Sequence, residues 1–105
     1  YVNRPDRMSL TAAQKRALRS RAHHLKPVVM VGQHGLNDNI LAEVGIALDA
    51  HELIKVKIAA ERDERAAITQ AILDNSGAAL VQTIGQMSVL YRRNEKKPKI
   101  TLPAS

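Results

Sequence analysis

The stretch Val28-Val29-Met30-Val31-Gly32-Gln33-His34-Gly35 decides how this chain folds. Four apolar residues run directly into a Gly-x-x-Gly segment, and an amphipathic helical pattern opens after it at Leu36-Asn37-Asp38-Asn39. Glycine tolerates positive φ and has no side chain, so a strand that ends in such a loop can bring bare backbone close to a phosphate. The stretch therefore predicts a short buried strand at 28–31, a turn that suits an anion, and a following helix.

The segment before this stretch has the pattern of an amphipathic helix from Leu10 to Leu25. Its apolar residues share one arc at ~100° per residue. The opposite arc carries Lys15, Arg16, Arg19, His23 and Lys26. Arg21 falls within the apolar arc, so either the helix ends early or this side chain extends to solvent. Ser9 or Thr11 could cap the helix start, and Pro27 stops it.

Downstream of the glycines, helical and strand periodicities alternate along the chain. The predicted elements are a helix at 40–48 capped by Asn37 and a strand at 53–59 whose solvent-exposed face carries Lys55 and Lys57. They are followed by a helix at 62–75 and by strands at 79–84 and 89–93, which a turn at 85–88 joins. Strand–helix–strand crossovers leave their strands parallel, whereas a hairpin is antiparallel. The fold class is therefore α/β, of the two-layer α+β kind, with the order α-β-α-β-α-β-β and a mixed four-stranded sheet.

Length and composition support one small domain. The chain has 105 residues, no cysteine and no apolar run near the ~20 residues that span a bilayer. Without disulfides a reducing compartment is the natural setting, so we predict a cytoplasmic protein. We also predict a monomer without a membrane partner. Met8 reads as a natural start. We expect residues 1–7 to be a tag or upstream extension, 8–94 the domain, and 95–105 a basic tail, extended or mobile.

The net charge of +6 is unevenly distributed. Residues 1–37 hold seven bases and one acid, residues 38–75 hold four bases and eight acids, and residues 76–105 hold five bases and one acid. The helical pattern from Leu10 to Lys26 contains no acid at all, which is unusual for a face meant only for solubility. Basic ends around an acidic middle predict a two-sided molecule that attracts polyanions.

Catalytic and metal-binding patterns are sparse. His23 and His24 are adjacent on a helix and point about 100° apart, a poor geometry for one metal ion. Asp63 and Glu64 lie in the first turn of a predicted helix, where acids complement the helix dipole. The Gly-x-x-Gly segment lacks the Lys-Ser/Thr ending of a P-loop and the third glycine of a dinucleotide fingerprint. We predict no catalytic residues, no metal and no cofactor.

The glycine segment can be interpreted as an ordinary turn of the fold or as a binding loop. Glycines are ordinary at strand-to-helix turns. Here Gln33 and His34 supply hydrogen-bond donors, and the loop leads into a helix N-terminus that favours anions, although Asp38 near that terminus opposes them. Only Tyr1 and Tyr91 are aromatic, so recognition by stacked aromatic rings is not expected. Together with the basic helix, these features favour RNA contact through backbone, shape and hydrogen bonds.

Three separated motifs, in order, resemble the CRM domain, the YhbY-like RNA-binding module. They are Lys26-Pro27-Val28-Val29-Met30-Val31-Gly32-Gln33-His34-Gly35-Leu36, then Leu53-Ile54-Lys55-Val56-Lys57, and then Val81-Gln82-Thr83-Ile84-Gly85 followed by Val89-Leu90-Tyr91-Arg92-Arg93. The resemblance runs from about Leu10 to Arg93. It implies a fold similar to the C-terminal domain of bacterial translation initiation factor 3. It also implies RNA contact at the glycine loop, here Gly32, Gln33, His34 and Gly35.

The resemblance extends to function. Stand-alone bacterial members are associated with large-ribosomal-subunit precursors, and plant relatives with group II intron splicing. We therefore expect a non-catalytic protein that contacts structured ribosomal RNA as an assembly or maturation factor. The expected RNA-binding residues are Lys15, Arg16, Arg19, Lys26, Gly32, Gln33, His34, Gly35, Arg92 and Arg93. The alternative is a protein-interaction module that docks its basic side on an acidic partner, with Lys55 and Lys57 on an open sheet face.

Overall fold

The computed structural model of the protein describes residues 10–103. Its elements are α1 (Ala12–Ala22), β1 (Pro27–Val31), α2 (Asp38–His51), β2 (Leu53–Ile58), α3 (Arg62–Ser76), β3 (Ala79–Ile84) and β4 (Met87–Tyr91). The strands form one sheet in the order β1-β2-β4-β3. The predicted element order and fold class are confirmed. Residues 1–7, which we expect to be an extension, and the candidate cap Ser9 lie outside the described residues.

The sheet is mixed, as predicted. β1 and β2 are parallel, with Val31 opposite Ile58. β4 lies antiparallel to both β2 and β3, with Lys57 opposite Met87. β3 therefore runs in the same direction as β2, although β4 separates them. One end of the sheet carries the segment after Val31, which we call the glycine-turn end; the chain leaves β4 at the opposite end.

Local sequence signals account for the helix boundaries. Thr11 caps α1 with a reciprocal capping box, because its hydroxyl accepts from the Gln14 amide at 3.1 Å and the Gln14 side chain accepts from the Thr11 amide at 3.0 Å. Asn37 caps α2 through a 2.9 Å bond from the Ile40 amide. Gly77 ends α3 at φ 73°, in the left-handed conformation that glycine adopts freely. The caps predicted at Thr11 and Asn37 are confirmed.

The sheet is covered on both faces by different parts of the chain. Alternate residues of β2, Ile54, Val56 and Ile58, pack with α2 and α3 in the larger core. Leu53 faces the other way and joins a second core with Leu18 of α1. The second core as a whole comprises Leu18, Ala22, Leu53, Val81, Val89 and Tyr91, with Leu10, Ile100 and Leu102 packed against it. α1 and the C-terminal tail thus cover part of the face opposite α2 and α3.

Two predicted strand details are wrong. The predicted buried strand is buried on one side only: Val29 and Val31 are in the core, but Val28 is 50% exposed and Met30 is 62% exposed. β1 is an edge strand, and α1 leaves this part of its outer face uncovered. The predicted four-residue turn at 85–88 is a two-residue turn, because β4 begins at Met87. Gly85 adopts φ 55° there, as tight hairpin turns require.

The C-terminal tail contains no helix or strand among its described residues, but it is bound to the domain. The buried carboxylate of Glu52 accepts hydrogen bonds from the backbone amides of Asn94 at 2.6 Å and of Lys99 and Ile100 at 2.7 Å each. Further along, the Gln14 side chain donates to the carbonyl of Pro103 at 3.0 Å. The described part of this tail, residues 95–103, therefore packs beside α1, a contact that no local sequence pattern predicts.

Candidate nucleic-acid interface

The glycine segment forms a tight, exposed turn at the end of β1. The Gly35 amide donates to the carbonyl of Gly32 at 3.0 Å, and Gly35 has φ 78°. Gln33 and His34 at the tip are exposed, and their backbone amides make no hydrogen bond within the described chain. The turn leads at once into the N-terminus of α2. It therefore offers unoccupied N–H groups and a positive helix end to an anion.

One acid lies beside this turn. Asp38 occupies the first turn of α2 and is exposed. Its carboxylate is stabilised by the same positive helix end that would attract a phosphate. The carboxylate and a bound phosphate would therefore oppose each other at the N-terminus of α2. Contact with an anion at this turn consequently rests on the amides of Gln33 and His34 and on their side-chain donors.

Helix α1 carries a basic flank, composed of Lys15, Arg16, Arg19 and His23. Lys15, Arg19 and His23 are four residues apart and therefore lie along one side of the helix, with Arg16 on the adjacent turn. Arg21 extends on the other side, where it lines a surface depression with Leu25 and Ile100. None of the four side chains of the basic flank pairs with an acid of the described residues. The flank thus presents uncompensated positive charge.

The sheet joins the basic flank to the glycine turn. Lys55 lines a depression of about 520 Å³ with Arg19 and His23 of the flank, and its ammonium group donates to the carbonyl of Leu25 at 3.0 Å. Lys57 lies two residues further along β2 and therefore on the same face. Met30 of β1 is its cross-strand neighbour and precedes Gly32 by two residues. A continuous path therefore runs from α1 across the sheet to the turn.

We call this uncovered part of the sheet the open face; its residues are Met30, Lys55, Lys57, Gln82 and Ile84. Gln82 and Ile84 line the same depression as Arg19, which places them on the α1 side of β3. Met30 is on that side because Val29 and Val31 on either side of it are in the opposite core. Among residues 10–103, none that lines the depression is acidic. Lys55 and Lys57 are expected to contact only the alternative protein partner, although their alternation along β2 already predicts a solvent-exposed face.

Arg92 has a structural role that differs from its predicted one. Its guanidinium donates to the carbonyl of Ser76 at 2.8 Å and to that of Gly45 at 3.2 Å, and it pairs with the Asp49 carboxylate at 2.9 Å. These contacts connect the ends of α2 and α3 to the last strand. Because the donors of Arg92 point into the domain, we exclude it from the candidate interface. No local pattern in the sequence predicts these long-range hydrogen-bond partners of Arg92.

The predicted basic groups do not all converge. Arg92, Arg93, Lys96, Lys97 and Lys99 form a C-terminal basic cluster, which follows β4 and lies at the end of the sheet opposite the glycine turn. β1 has five residues, so the two ends are about 15 Å apart. Arg93 is exposed and its guanidinium is 3.9 Å from Glu95. Lys26 also lies at the opposite end, where β1 starts, in a depression that includes His24 and His51. The expectation of one surface holding both basic ends is wrong for the C-terminal cluster.

Other kinds of site find no support within residues 10–103. No group of three or more histidine, aspartate or glutamate side chains in this range is arranged to hold a metal ion. None of the described helices has the length and apolar character that crossing a membrane requires. The histidines at positions 23 and 24 contact each other edge to face at 5.7 Å and lie at the exposed end of α1.

The amino-acid sequence matches a known family over most of its length. The sequence profile of the CRS1/YhbY (CRM) domain matches residues 10–92, which include every helix and strand of the part of the chain that the structure describes. The chain belongs to the CRS1/YhbY family. The resemblance seen in the three sequence motifs is thereby confirmed, and the CRM domain spans the structure from the N-cap region of α1 to the residue after β4.

Relatives of this CRM domain carry related names. The chain is 50% identical to Probable RNA-binding protein PA4753 of Pseudomonas aeruginosa over 93 residues, covering 88% of this chain and 89% of the relative. It is 51% identical over 96 residues to an RNA-binding protein of Haemophilus influenzae, covering 90% and 96%. The solution structure of the hypothetical protein SAV1595 from Staphylococcus aureus superposes with a TM-score of 0.78 at 35% identity, covering 90% of this chain and all of that one.

Proposed function

We propose that this CRM domain binds RNA through the basic flank of α1, the open face of the sheet and the glycine turn. The single observation that carries the proposal is the path from Arg19 through Lys55 and Lys57 to Gly32, along which the described residues place bases and bare backbone but no acid before Asp38, beside the turn at its end. A surface of one charge sign next to unoccupied amides suits a sugar–phosphate backbone. The names of the relatives agree with this partner.

The roles within the proposed interface follow from geometry. Lys15, Arg16 and Arg19 engage phosphates from the helix, because their side chains are long and flexible and form no ion pair with an acid of residues 10–103. The turn Gly32–Gly35 brings the amides of Gln33 and His34 against the backbone of the RNA. Lys26 extends the positive surface at the start of β1, and Arg93 belongs to the separate C-terminal basic cluster.

The RNA that we propose is structured ribosomal RNA, bound during assembly or maturation of the large subunit. Family membership supports this, through the resemblance to stand-alone bacterial CRM proteins described above. The proposal is of a binding protein without catalytic activity, acting in the cytoplasm as a monomer. The groups that we assign to phosphate contact in it are flexible cations and backbone amides, which bind an anion without reacting with it.

Recovery of RNA from cells tests the proposal. The full chain is crosslinked in growing cells, and the attached RNA is sequenced; we expect precursor large-subunit RNA to be enriched at discrete sites. Enrichment of unrelated transcripts in proportion to their abundance would contradict the ribosomal assignment. The purified protein is also expected to carry nucleic acid, visible as ultraviolet absorbance beyond that of its two tyrosines.

The alternative is a protein-interaction module that docks the same basic side on an acidic partner. The open face favours it to the extent that Met30 and Ile84, 62% and 51% exposed, would suit a protein surface. Competition separates the two: a short structured RNA should displace a fluorescent RNA from the protein, while an acidic polypeptide of equal charge should not. Equal displacement by both would favour the protein partner.

A further inference from the structure

The open face combines apolar and cationic side chains in a way that a phosphate backbone alone does not require. Met30 and Ile84 are among the most exposed large apolar residues of the described chain. They lie on the two edge strands and face the same side as Lys55 and Lys57. Three inter-strand gaps of about 4.8 Å separate β1 from β3, so the face is roughly 14 Å wide. Bases could lie on it while their phosphates reach the cations.

We propose that the open face is a binding site for unpaired nucleotides. This CRM domain would then prefer RNA with unpaired segments over continuous duplex. The inference rests on the proposed RNA-binding function and adds the substrate class. An unpaired base has an apolar face and hydrogen-bonding edges, and both can be matched here. Met30 and Ile84 offer the apolar contact, and the Gln82 amide offers a donor and an acceptor.

Charge complementarity identifies the occupant as a nucleic acid. Arg19, His23 and Lys55 line the depression of about 520 Å³ that contains Gln82 and Ile84, and no acid among the described residues joins them. A protein partner would have to bury these cations opposite acids, whereas single-stranded RNA supplies a phosphate with every base. A continuous duplex keeps its bases stacked inside and presents its sugar–phosphate backbones outward, so it would bring no base face to the apolar residues of the open face.

The path of a strand across the molecule follows from the same geometry. One end of the open face borders the glycine turn through Met30, and the other borders the basic flank of α1 through Lys55. A single strand that crosses the face therefore meets phosphate-binding groups on both sides of its splayed bases. This arrangement explains how a protein with almost no aromatic residues could still distinguish unpaired from paired RNA.

A pair of neutral substitutions tests the inference without altering charge. We compare Met30→Ser/Ile84→Ser with a control, Ile46→Ser, because Ile46 is 69% exposed on α2, on the opposite side of the sheet. The probes are one RNA strand of mixed sequence and the same strand annealed into a blunt duplex. We expect the double variant to lose roughly tenfold in affinity for the single strand and to keep its affinity for the duplex. The control should change neither.

A gain of affinity gives a second, independent measurement. Ile84→Tyr places an aromatic ring on the open face, and aromatic rings stack well on unpaired bases. This variant should bind the single strand more tightly than the duplex by a larger factor than the wild type, while Ile46→Tyr should not. A 2-aminopurine placed in the single strand should change its fluorescence on binding, and the change should be smaller with Met30→Ser/Ile84→Ser.

The failure of this inference is distinguishable from failure of the proposed function. Equal single-strand affinity for Met30→Ser/Ile84→Ser and Ile46→Ser, with RNA binding still dependent on the basic flank, would overturn the inference alone. Equal losses of affinity for the single strand and for the duplex would overturn the inference as well, since the open face would then contact the sugar–phosphate backbone and not the bases. No binding of either probe by the wild type would overturn the proposed function.

Discussion

Glu52 and Ile100 lie 48 residues apart in the chain, and the carboxylate of the first accepts the backbone amide of the second at 2.7 Å. The same oxygen accepts the Lys99 amide at 2.7 Å, and the other oxygen accepts the Asn94 amide at 2.6 Å. Glu52 is fully buried and has φ 64°, an uncommon conformation for a residue with a side chain. A buried acid in an uncommon backbone conformation thus holds the tail against the domain.

Replacing Glu52 by Gln should release the tail from the domain. A neutral amide oxygen is a weaker acceptor than a carboxylate, and its NH₂ group would face backbone donors. We expect the free energy of unfolding to fall by about 2–4 kcal/mol. Urea denaturation measures this change, and faster amide hydrogen exchange at Lys99 and Ile100 locates it. Glu43→Gln, on the exposed surface of α2, is the matched control and should change neither quantity.

Arg92 and Arg93 are adjacent, but substitution should change stability by very different amounts. Arg92→Ala removes two contacts to α2, at Gly45 and Asp49, and one to Ser76 of α3, so it should lower the free energy of unfolding by about 1–3 kcal/mol. Arg93 is half exposed, with one long ion pair, so Arg93→Ala should change stability by less than about 0.5 kcal/mol. Thermal and urea unfolding of both variants measure the difference. Equal stabilities would show that the contacts of Arg92 contribute nothing.

Tyr91 should make the protein sensitive to alkaline pH. Burial raises the pKa of its phenol above the usual value of 10.0, and the nearby Glu52 carboxylate raises this pKa further. The folded state therefore holds this proton more tightly than the unfolded state does. Its contribution to stability is complete below pH 10 and is lost as the pH rises through the folded pKa. In the Tyr1→Phe background, phenolate absorbance should follow unfolding; Tyr91→Phe should flatten this alkaline loss of stability.

Much of the fold is predictable because it depends on local periodicity. The period-2 alternation of Lys55 and Lys57 against the apolar residues of β2 predicts one buried and one wet face, and the structure confirms both. The caps at Thr11 and Asn37 are equally local, since each cap bonds within three residues. Signals of this kind do not depend on the rest of the chain.

Long-range partners account for what the sequence does not predict. Glu52 is of a residue type that usually lies on the surface, and its role depends on a tail more than 40 residues away in the chain. Arg92 looks like any basic residue after a strand, but its partners lie on two helices. The position of the C-terminal basic cluster follows from the antiparallel direction of β4, which places it away from the glycine turn. In each case the decisive information is topology.

Charge reversal on α1 should weaken RNA binding more than the same reversal on the tail. Arg16→Glu/Arg19→Glu alters the basic flank, whereas Lys96→Glu/Lys97→Glu makes the same change in net charge in the C-terminal basic cluster. If about five phosphates are neutralised, the wild-type log–log salt slope should be roughly −3 to −5, and the α1 variant should lose about two of these contacts. Fluorescence anisotropy over a salt series measures both. Equal losses for the two variants would indicate attraction by net charge alone.

The two glycines of the turn should separate RNA contact from folding. A Cβ built on Gly32 meets nothing within 4 Å and Gly32 lacks a positive φ, so Gly32→Leu should fold normally but hold an RNA backbone away from the amides of Gln33 and His34. We expect a loss of roughly tenfold in RNA affinity with unchanged stability. Gly35 has φ 78°, so Gly35→Ala should cost about 1–2 kcal/mol of stability. Anisotropy titration and urea denaturation on both variants check this division; undiminished RNA binding by a folded Gly32→Leu variant would remove the turn from the interface.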